Sequence, residues 1–189
     1  LFLVCRSRKA GRGGLARDRV SGGQPFLNGH AKPRSPQRLA AIDVGTNSLR
    51  LIIAEATPDG SYRVLDDEKE VTRLGRGLQE TGRLGSEAIE HSVAAIARMQ
   101  SIAEGYGVSR VRVVGTAAAR EAANADELAR AILERTGLTL QIISAEQEAM
   151  LAFRSAARAF DLSAVAAAVV DIGGGSTEVV LSIGREAAP

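Results

Sequence analysis

Two stretches of this chain, 128 residues apart, carry the same unusual pattern. "AAIDVGTNSLRLII" (40–53) and "AVVDIGGGSTEVVL" (168–181) each run from an apolar segment into an aspartate, then a glycine loop with hydroxyls, then a second apolar segment. Asp43 falls on Asp171, Gly45 on Gly173 and Ser48 on Ser176. Apolar runs broken by glycine and small polar residues read as β-hairpins. The repeat predicts two related subdomains, each opening with the same strand, bend and returning strand. Their loops are expected to face one another across a cleft, a frequent place for a ligand.

The loop chemistry suits an anion. Gly45 in the first loop and Gly173, Gly174 and Gly175 in the second let backbone N–H groups come close to a ligand. Thr46, Asn47 and Ser48 add side-chain donors on one side, Ser176 and Thr177 on the other. An aspartate beside a phosphate cradle is awkward unless a cation lies between them, and Mg²⁺ takes a few carboxylates together with phosphate oxygens and water. Asp43 and Asp171 are therefore candidate metal ligands. The plainer alternative is two ordinary hairpin turns. Neither the P-loop pattern nor the dinucleotide glycine pattern fits, since no long helix follows the glycines.

Between the repeats, strands alternate with helices. Strands are expected over 38–43, over two runs joined by a Pro-Asp-Gly turn at 58–60, and in "VRVVGT" and "LTLQIIS". Helices are expected in "SEAIEHSVAAIARMQSIAEGYG", capped by Ser86, in "AAAREAAN" followed by "ADELARAILERTG", and in "AEQEAMLAFRSAARAF". This order predicts an α/β layered fold, and the early hairpin makes its sheet mixed rather than wholly parallel. Domain boundaries fall at 1–37 (a basic tail), 38–164 (the first subdomain) and 165–189 (the start of a second). The second holds only a strand pair, so the chain is expected to be a fragment whose final hairpin is poorly supported by itself.

Of 24 basic and 22 acidic residues, eight and one respectively lie within residues 1–37, leaving 16 and 21 in the remainder. The basic balance thus belongs to a tail rich in Gly, Pro, Arg and Ser, which reads as unstructured. It argues no nucleic-acid partner for the folded part. The lone Cys5 forms no internal disulfide and fits a cytoplasmic protein. No apolar run reaches the roughly 20 residues of a membrane span, so no membrane partner is expected.

Four segments in order, "AIDVGTNSLRL" (41–51), "VVGTAAAREAAN" (113–124), "IISAEQEAML" (142–151) and "VVDIGGGSTEVV" (169–180), resemble the exopolyphosphatase and guanosine pentaphosphate phosphohydrolase (Ppx/GppA) family. That family lies within the ribonuclease H-like, actin-like ATPase and sugar-kinase superfold. The resemblance implies a mixed sheet flanked by helices, plus the opening hairpin of a second similar subdomain. It implies release of terminal phosphate from polyphosphate or guanosine pentaphosphate with Mg²⁺, and a homodimer in the full-length protein. It carries the catalytic base onto Glu148 and a phosphate-binding arginine onto Arg120. Asp43, Gly45, Asn47 and Ser48 match its first loop; Asp171, Gly173, Gly174, Ser176 and Glu178 match its second phosphate and metal loop. Ala145, Gln147 and Met150 stand where members often have Gly, Glu and Arg, which touches substrate choice rather than the base.

The residues themselves are consistent with these roles. Ser144 and Gln147 have the spacing of a capping box, placing Glu148 in a first helical turn that favours an ionised carboxylate. Such a group near a phosphate can take a proton from water. Arg120 follows a strand end and can grip phosphate bidentately; its plainer alternative is pairing with Glu121 or Glu127. Arg76, in the glycine-flanked "LGRGL", is a lesser candidate whose plainer alternative is a solvated loop arginine; His30 and His91 read as solvated. Two rival functions remain at this stage: an actin-like ATPase or sugar kinase, and a phosphate- or nucleotide-binding module without turnover.

Overall fold

The computed structural model describes residues 2–8, 37–57, 61–163, 165–184 and 186–187. Its elements are β1 (Phe2–Arg8), β2 (Gln37–Val44), β3 (Ser48–Ala56), β4 (Tyr62–Val71), α1 (Leu78–Thr81), α2 (Ser86–Gly105), β5 (Arg110–Gly115), α3 (Ala117–Glu121), α4 (Ala125–Thr136), β6 (Leu140–Ile142), α5 (Ala145–Ala159), β7 (Val165–Ile172), β8 (Thr177–Ile183) and β9 (Glu186–Ala187). The α/β class with a mixed sheet is as expected.

The first sheet has the order β4-β3-β2-β5-β6. β2, β3 and β4 pair antiparallel, whereas β5 joins β2, and β6 joins β5, in parallel. Side chains alternate across a strand, and the burial follows that period. Ala40, Ile42 and Val44 of β2 and Leu49, Leu51 and Ile53 of β3 are buried, packing with Ile89, Val93, Ile96 and Met99 of α2 and with Leu128 and Ile132 of α4. The opposite parity, which includes Ala41 and Asp43, faces away from those helices. Parallel pairing aligns Val44 with Gly115, and Gly115 with Ile142. The carboxyl ends of three strands therefore meet on one edge, the edge at which open α/β sheets receive ligands.

The second sheet has the order β1-β7-β8-β9. Ala167 and Val169 of β7 pack with Phe153 and Ala156 of α5 and with Leu162. The sequence reading assigned α5 to the first subdomain, but its apolar stripe is buried against the second sheet. The reason is geometric: α2 and α4 already cover the buried face of the first sheet. The other flank of α5 looks toward the first sheet across a cavity of about 300 Å³ bounded by Ala41, Val114, Leu151 and Ser155. Near its end, the Arg158 guanidinium lies 4.7 Å from the centroid of the Tyr62 ring on β4. Helix α5 is thus wedged between the two sheets.

Two expectations need correction. Residues 2–8 form a strand paired antiparallel with β7, from Phe2–Asp171 to Arg8–Val165. The apolar run "FLVC" lies within this strand, whereas the tail composition suggests no element there; residue 1 and 9–36 lie outside the described residues, as does the 58–60 turn. By the repeat, β1 holds the place beside β7 that β5 holds beside β2. Ser86 is not a cap: Gly85 holds that position with no side-chain bond, and Ser86 is the first residue of α2. Among the described residues, no helix is long and apolar enough to cross a membrane.

Candidate active site

The two hairpin bends are built alike. Gly45 N–H donates to Ser48 O at 3.2 Å, and Gly173 N–H donates to Ser176 O at 2.9 Å. The bends also touch. A Cβ on Gly175 would lie 2.5 Å from Thr46 Oγ1, and one on Gly174 would lie 3.1 Å from the Asn47 Cβ. None of Gly45, Gly173, Gly174 and Gly175 has a positive φ. Gly174 and Gly175 are required by close approach of one loop to the other, whereas a Cβ on Gly45 or Gly173 would meet its own bend, 2.9 Å from Ser48 O or 3.3 Å from Ser176 O; none is required by a left-handed backbone. Among the described residues, the N–H groups of Thr46, Asn47, Gly174 and Gly175 have no acceptor, so four donors remain at the junction.

A cavity of about 190 Å³ opens there, lined by Thr46, Ser48, Gly174 and Ser176 of the loops and by Asp43, Asp171, Glu148 and Thr116. At roughly 30 Å³ per water, it has room for one phosphate group and a few waters. Alternation explains which second-hairpin residues reach it. Asp171 shares the face of Ala167 and Val169, toward α5. Its cross-strand partner is Glu178, buried at 8% exposure. Thr177, expected as a phosphate donor, begins β8 on the opposite face with Val179, Leu181 and Ile183, is exposed, and does not bound the cavity. Glu178 does not bound it either; it stands behind Asp171.

Helix α5 delivers Glu148. Ser144 Oγ accepts from Gln147 N–H at 3.2 Å, and Gln147 Oε1 accepts from Ser144 N–H at 3.0 Å, completing the expected capping box. Gln147 therefore has its own structural work in the place of a glutamate. The two acids of this turn then diverge. Glu146 is held below its usual range by the Ser144 hydroxyl. Glu148 is raised by burial, with Glu178 and Asp171 adding to the rise and the Arg120 hydrogen bond opposing it. A carboxylate raised in this way is a better proton acceptor near neutral pH. Dipole complementation accounts for Glu146 and not for the environment of Glu148.

Arg120, on α3 directly after β5, pairs with neither Glu121 nor Glu127. Its Nη1 donates to Glu148 Oε2 at 3.0 Å and to Ile143 O at 3.1 Å, while Glu127 pairs with Arg83. The Ile143 carbonyl, at the end of β6, orients the guanidinium; sequence gave no sign of it. Among the described residues, Nε and Nη2 of Arg120 have no partner, so one edge of the fork holds the glutamate and the other is open to an anion.

The remaining acids crowd the floor. Burial pushes Asp43 up from 3.8 to about 6, with Glu148 and Asp171 contributing and Arg50 opposing. Asp171 is also raised, mainly by burial and then by Glu178. Arg50, opposite Asp43 in the hairpin, is committed to Asp67 through bonds of 2.8 and 2.6 Å. Among the described residues, no three Asp, Glu, His or Cys side chains form a ready cation site.

The glycine-flanked loop that holds Arg76 braces the first bend. Arg73 N–H donates to Asn47 O at 2.9 Å and Gly75 N–H to Thr46 O at 2.8 Å. Gly75 admits the Thr46 methyl, which would lie 2.3 Å from an added Cβ. Arg73 has φ 52°, the one non-glycine residue in the left-handed region among those described, a conformation costing about 1–2 kcal/mol. The one available sequence signal was Gly75 in "RLGRG".

These features define an α/β protein with two like hairpin bends beside one acidic cleft, whose wall does not include Arg120 but whose Glu148 is bonded to it. Residues 38–188 match the Ppx/GppA phosphatase family, and the chain belongs to that family. It is 38% identical over 152 residues to exopolyphosphatase 2 of Mycobacterium tuberculosis, covering 76% of this chain and 48% of that protein. The structure resembles the Aquifex aeolicus PPX-GPPA enzyme at TM-score 0.72 and 34% identity, over 82% of this chain and 51% of the other. It also resembles an exopolyphosphatase from Cytophaga hutchinsonii at TM-score 0.73 and 28% identity, over 80% and 48%. The chain spans about half the length of the curated relatives it matches.

Proposed function

We propose that this chain carries the catalytic half-site of a phosphoanhydride hydrolase that removes the terminal phosphate from inorganic polyphosphate. The observation that carries the reading is the Glu148–Arg120 pair beside the junction of two bends that retain four free N–H donors. In this reading the terminal phosphate lies at that junction, held by the N–H groups and by the free edge of Arg120. Glu148 takes a proton from a water, whose oxygen attacks phosphorus in line. The bridging P–O bond breaks, and its electron pair leaves with the shortened chain. Preorganised donors around the phosphoryl oxygens lower the barrier by electrostatic stabilisation.

In this reading the crowded acids attract a divalent cation, although no three of the described ones stand as a ready site. Asp43, Asp171 and Glu148 all sit above their ordinary carboxyl range in a shared, partly buried space, a situation that a bound cation relieves. Asp171 and Glu178, with Asp43, would hold Mg²⁺ as a partial shell to be completed by phosphate oxygens and water. When bound, the ion supplies charge neutralisation at the phosphate.

Guanosine pentaphosphate ends in the same phosphoanhydride and is the second substrate this reading admits. The test is orthophosphate release from polyphosphate and from guanosine pentaphosphate, with and without Mg²⁺, by the longest polypeptide that carries this chain. Release from polyphosphate that requires Mg²⁺ is expected. ADP formation from ATP in the presence of a sugar, without release from polyphosphate, would assign a kinase instead.

A further inference from the structure

Next to the first bend, at the same end of the sheet, lies a second cavity of about 450 Å³ whose walls include Thr72, Arg73, Arg76, Glu87 and His91. Its position follows from register. Val71, the last residue of β4, is opposite Ser48, the first of β3, so the chain leaves the sheet one strand out from the phosphate loop. Neighbouring strands are about 4.8 Å apart, so the cavity lies within reach of a linear chain that starts at the first bend.

Several observations point to an anion there. Arg73 and Arg76 are both exposed on the wall of this cavity, and among the described residues neither has an ion pair. Arg73 is held left-handed by the bonds that tie its loop to Thr46 and Asn47; backbone strain that the surroundings enforce gathers at ligand sites. Thr72 is 5% exposed, and its hydroxyl has no hydrogen-bond partner, an orphan that folded proteins seldom leave without a reason. The carboxylate of Glu70, on the adjoining strand, is taken up by Arg98 and by His91 Nε2 at 3.4 Å. Glu87 is the one carboxylate on the cavity wall, against two arginines.

We propose that this cavity is a subsite for inner phosphates of the same chain whose terminal phosphate lies at the loop junction. Arg73 and Arg76 then set a preference for long polyphosphate over short. This rests on the reading above, and it adds residues and a chain-length preference that the cleft alone does not supply. Because Arg73 is bonded directly to the first loop, occupancy of the subsite also steadies Thr46 and Asn47.

The test compares binding of long-chain inorganic polyphosphate and of tripolyphosphate, by calorimetry, to the longest polypeptide carrying this chain and to its Arg73→Gly, Arg76→Gln and Glu87→Gln variants. Glycine suits the Arg73 backbone, so that variant is expected to stay folded. Each arginine variant is expected to weaken long-chain binding about tenfold, the size of one charge-assisted hydrogen bond, and to weaken tripolyphosphate binding less. Glu87→Gln is expected to tighten the long chain. Equal losses on both ligands, or none on either, would overturn the subsite. If the unaltered protein binds neither ligand, the proposed function itself falls and the subsite with it.

Discussion

The β2–β3 and β7–β8 hairpins share a motif and a turn bond but not a setting. β2 and β3 bury one whole face, from Ala40 to Ile53, under α2 and α4. β7 and β8 bury a smaller set under α5 alone, and on the far face of β8 Val179, Leu181 and Ile183 stand 59%, 60% and 70% exposed. The first loop is additionally tied down by Arg73 and Gly75, and no equivalent brace holds the second among the described residues. One half of the cleft is therefore a rigid platform, and the other half is held to it by α5. The same helix that buries Phe153 against the second sheet brings Glu148 to the junction. Catalytic geometry and attachment of the second hairpin depend on a single element.

Glu148→Gln is the sharpest challenge to that dependence. It leaves the capping box and the Phe153 contact intact while removing the base. In an active polypeptide kcat is expected to fall about 10²–10⁴-fold, measured as steady-state phosphate release, with little change in Tm. Near-normal turnover would strip Glu148 of its role.

Phe153→Ala tests the attachment. Phe153 is 4% exposed, and such truncations cost about 3–5 kcal/mol. Hydrogen exchange is expected to accelerate over residues 166–183 far more than over 40–53. Uniform acceleration would mean that the halves unfold as one unit.

Gly175→Ala tests the contact between the bends. The new Cβ meets Thr46 Oγ1, with an expected cost of about 1–3 kcal/mol. Thr46→Ala on the same chain should restore much of it, a coupling that a double-mutant cycle reads directly. Independent, additive effects would place the loops apart in solution.

The smallest effect concerns the floor. Folding raises the Asp43 carboxyl from 3.8 to about 6, so between those values the folded chain binds more protons than the unfolded one. Stability conferred by the neutral form is present at low pH and declines as pH rises from about 4 to about 6. In metal-free buffer, Asp43→Asn should gain about 1 kcal/mol over the parent at pH 7, a figure discounted for the exposure of the side chain, and nothing at pH 3. Denaturant midpoints at the two pH values check this.

What the sequence disclosed and what it hid divide along physical lines. Local, spacing-coded features were legible: the paired Asp-x-Gly bends, the Ser144–Gln147 box, and the acid and arginine that follow strand ends. Features that depend on long-range packing were not. The covering of the second sheet by α5 follows only once α2 and α4 have claimed the first. The outward turn of Thr177 follows from strand parity after Asp171, which requires knowing where β8 begins. The role of the glycines was visible as a need for space, but at Gly174 and Gly175 the space is taken by the opposite loop. The pairing of residues 2–8 with β7 was masked by the basic, glycine-rich composition around them, although "LFLVC" was the signal. Sequence proximity points Arg120 to Glu121 or Glu127, whereas its partner, Glu148, comes from another element.

The central claim is that the two bends form one anion cradle with Arg120 at its side. A crystal structure of this chain with orthophosphate tests it most directly. The account predicts phosphate oxygens within hydrogen-bond distance of N–H groups from both bends, one from Thr46 or Asn47 and one from Gly174 or Gly175, and of the free edge of Arg120. Phosphate held by a single bend, or absent from the junction while bound elsewhere, would contradict it.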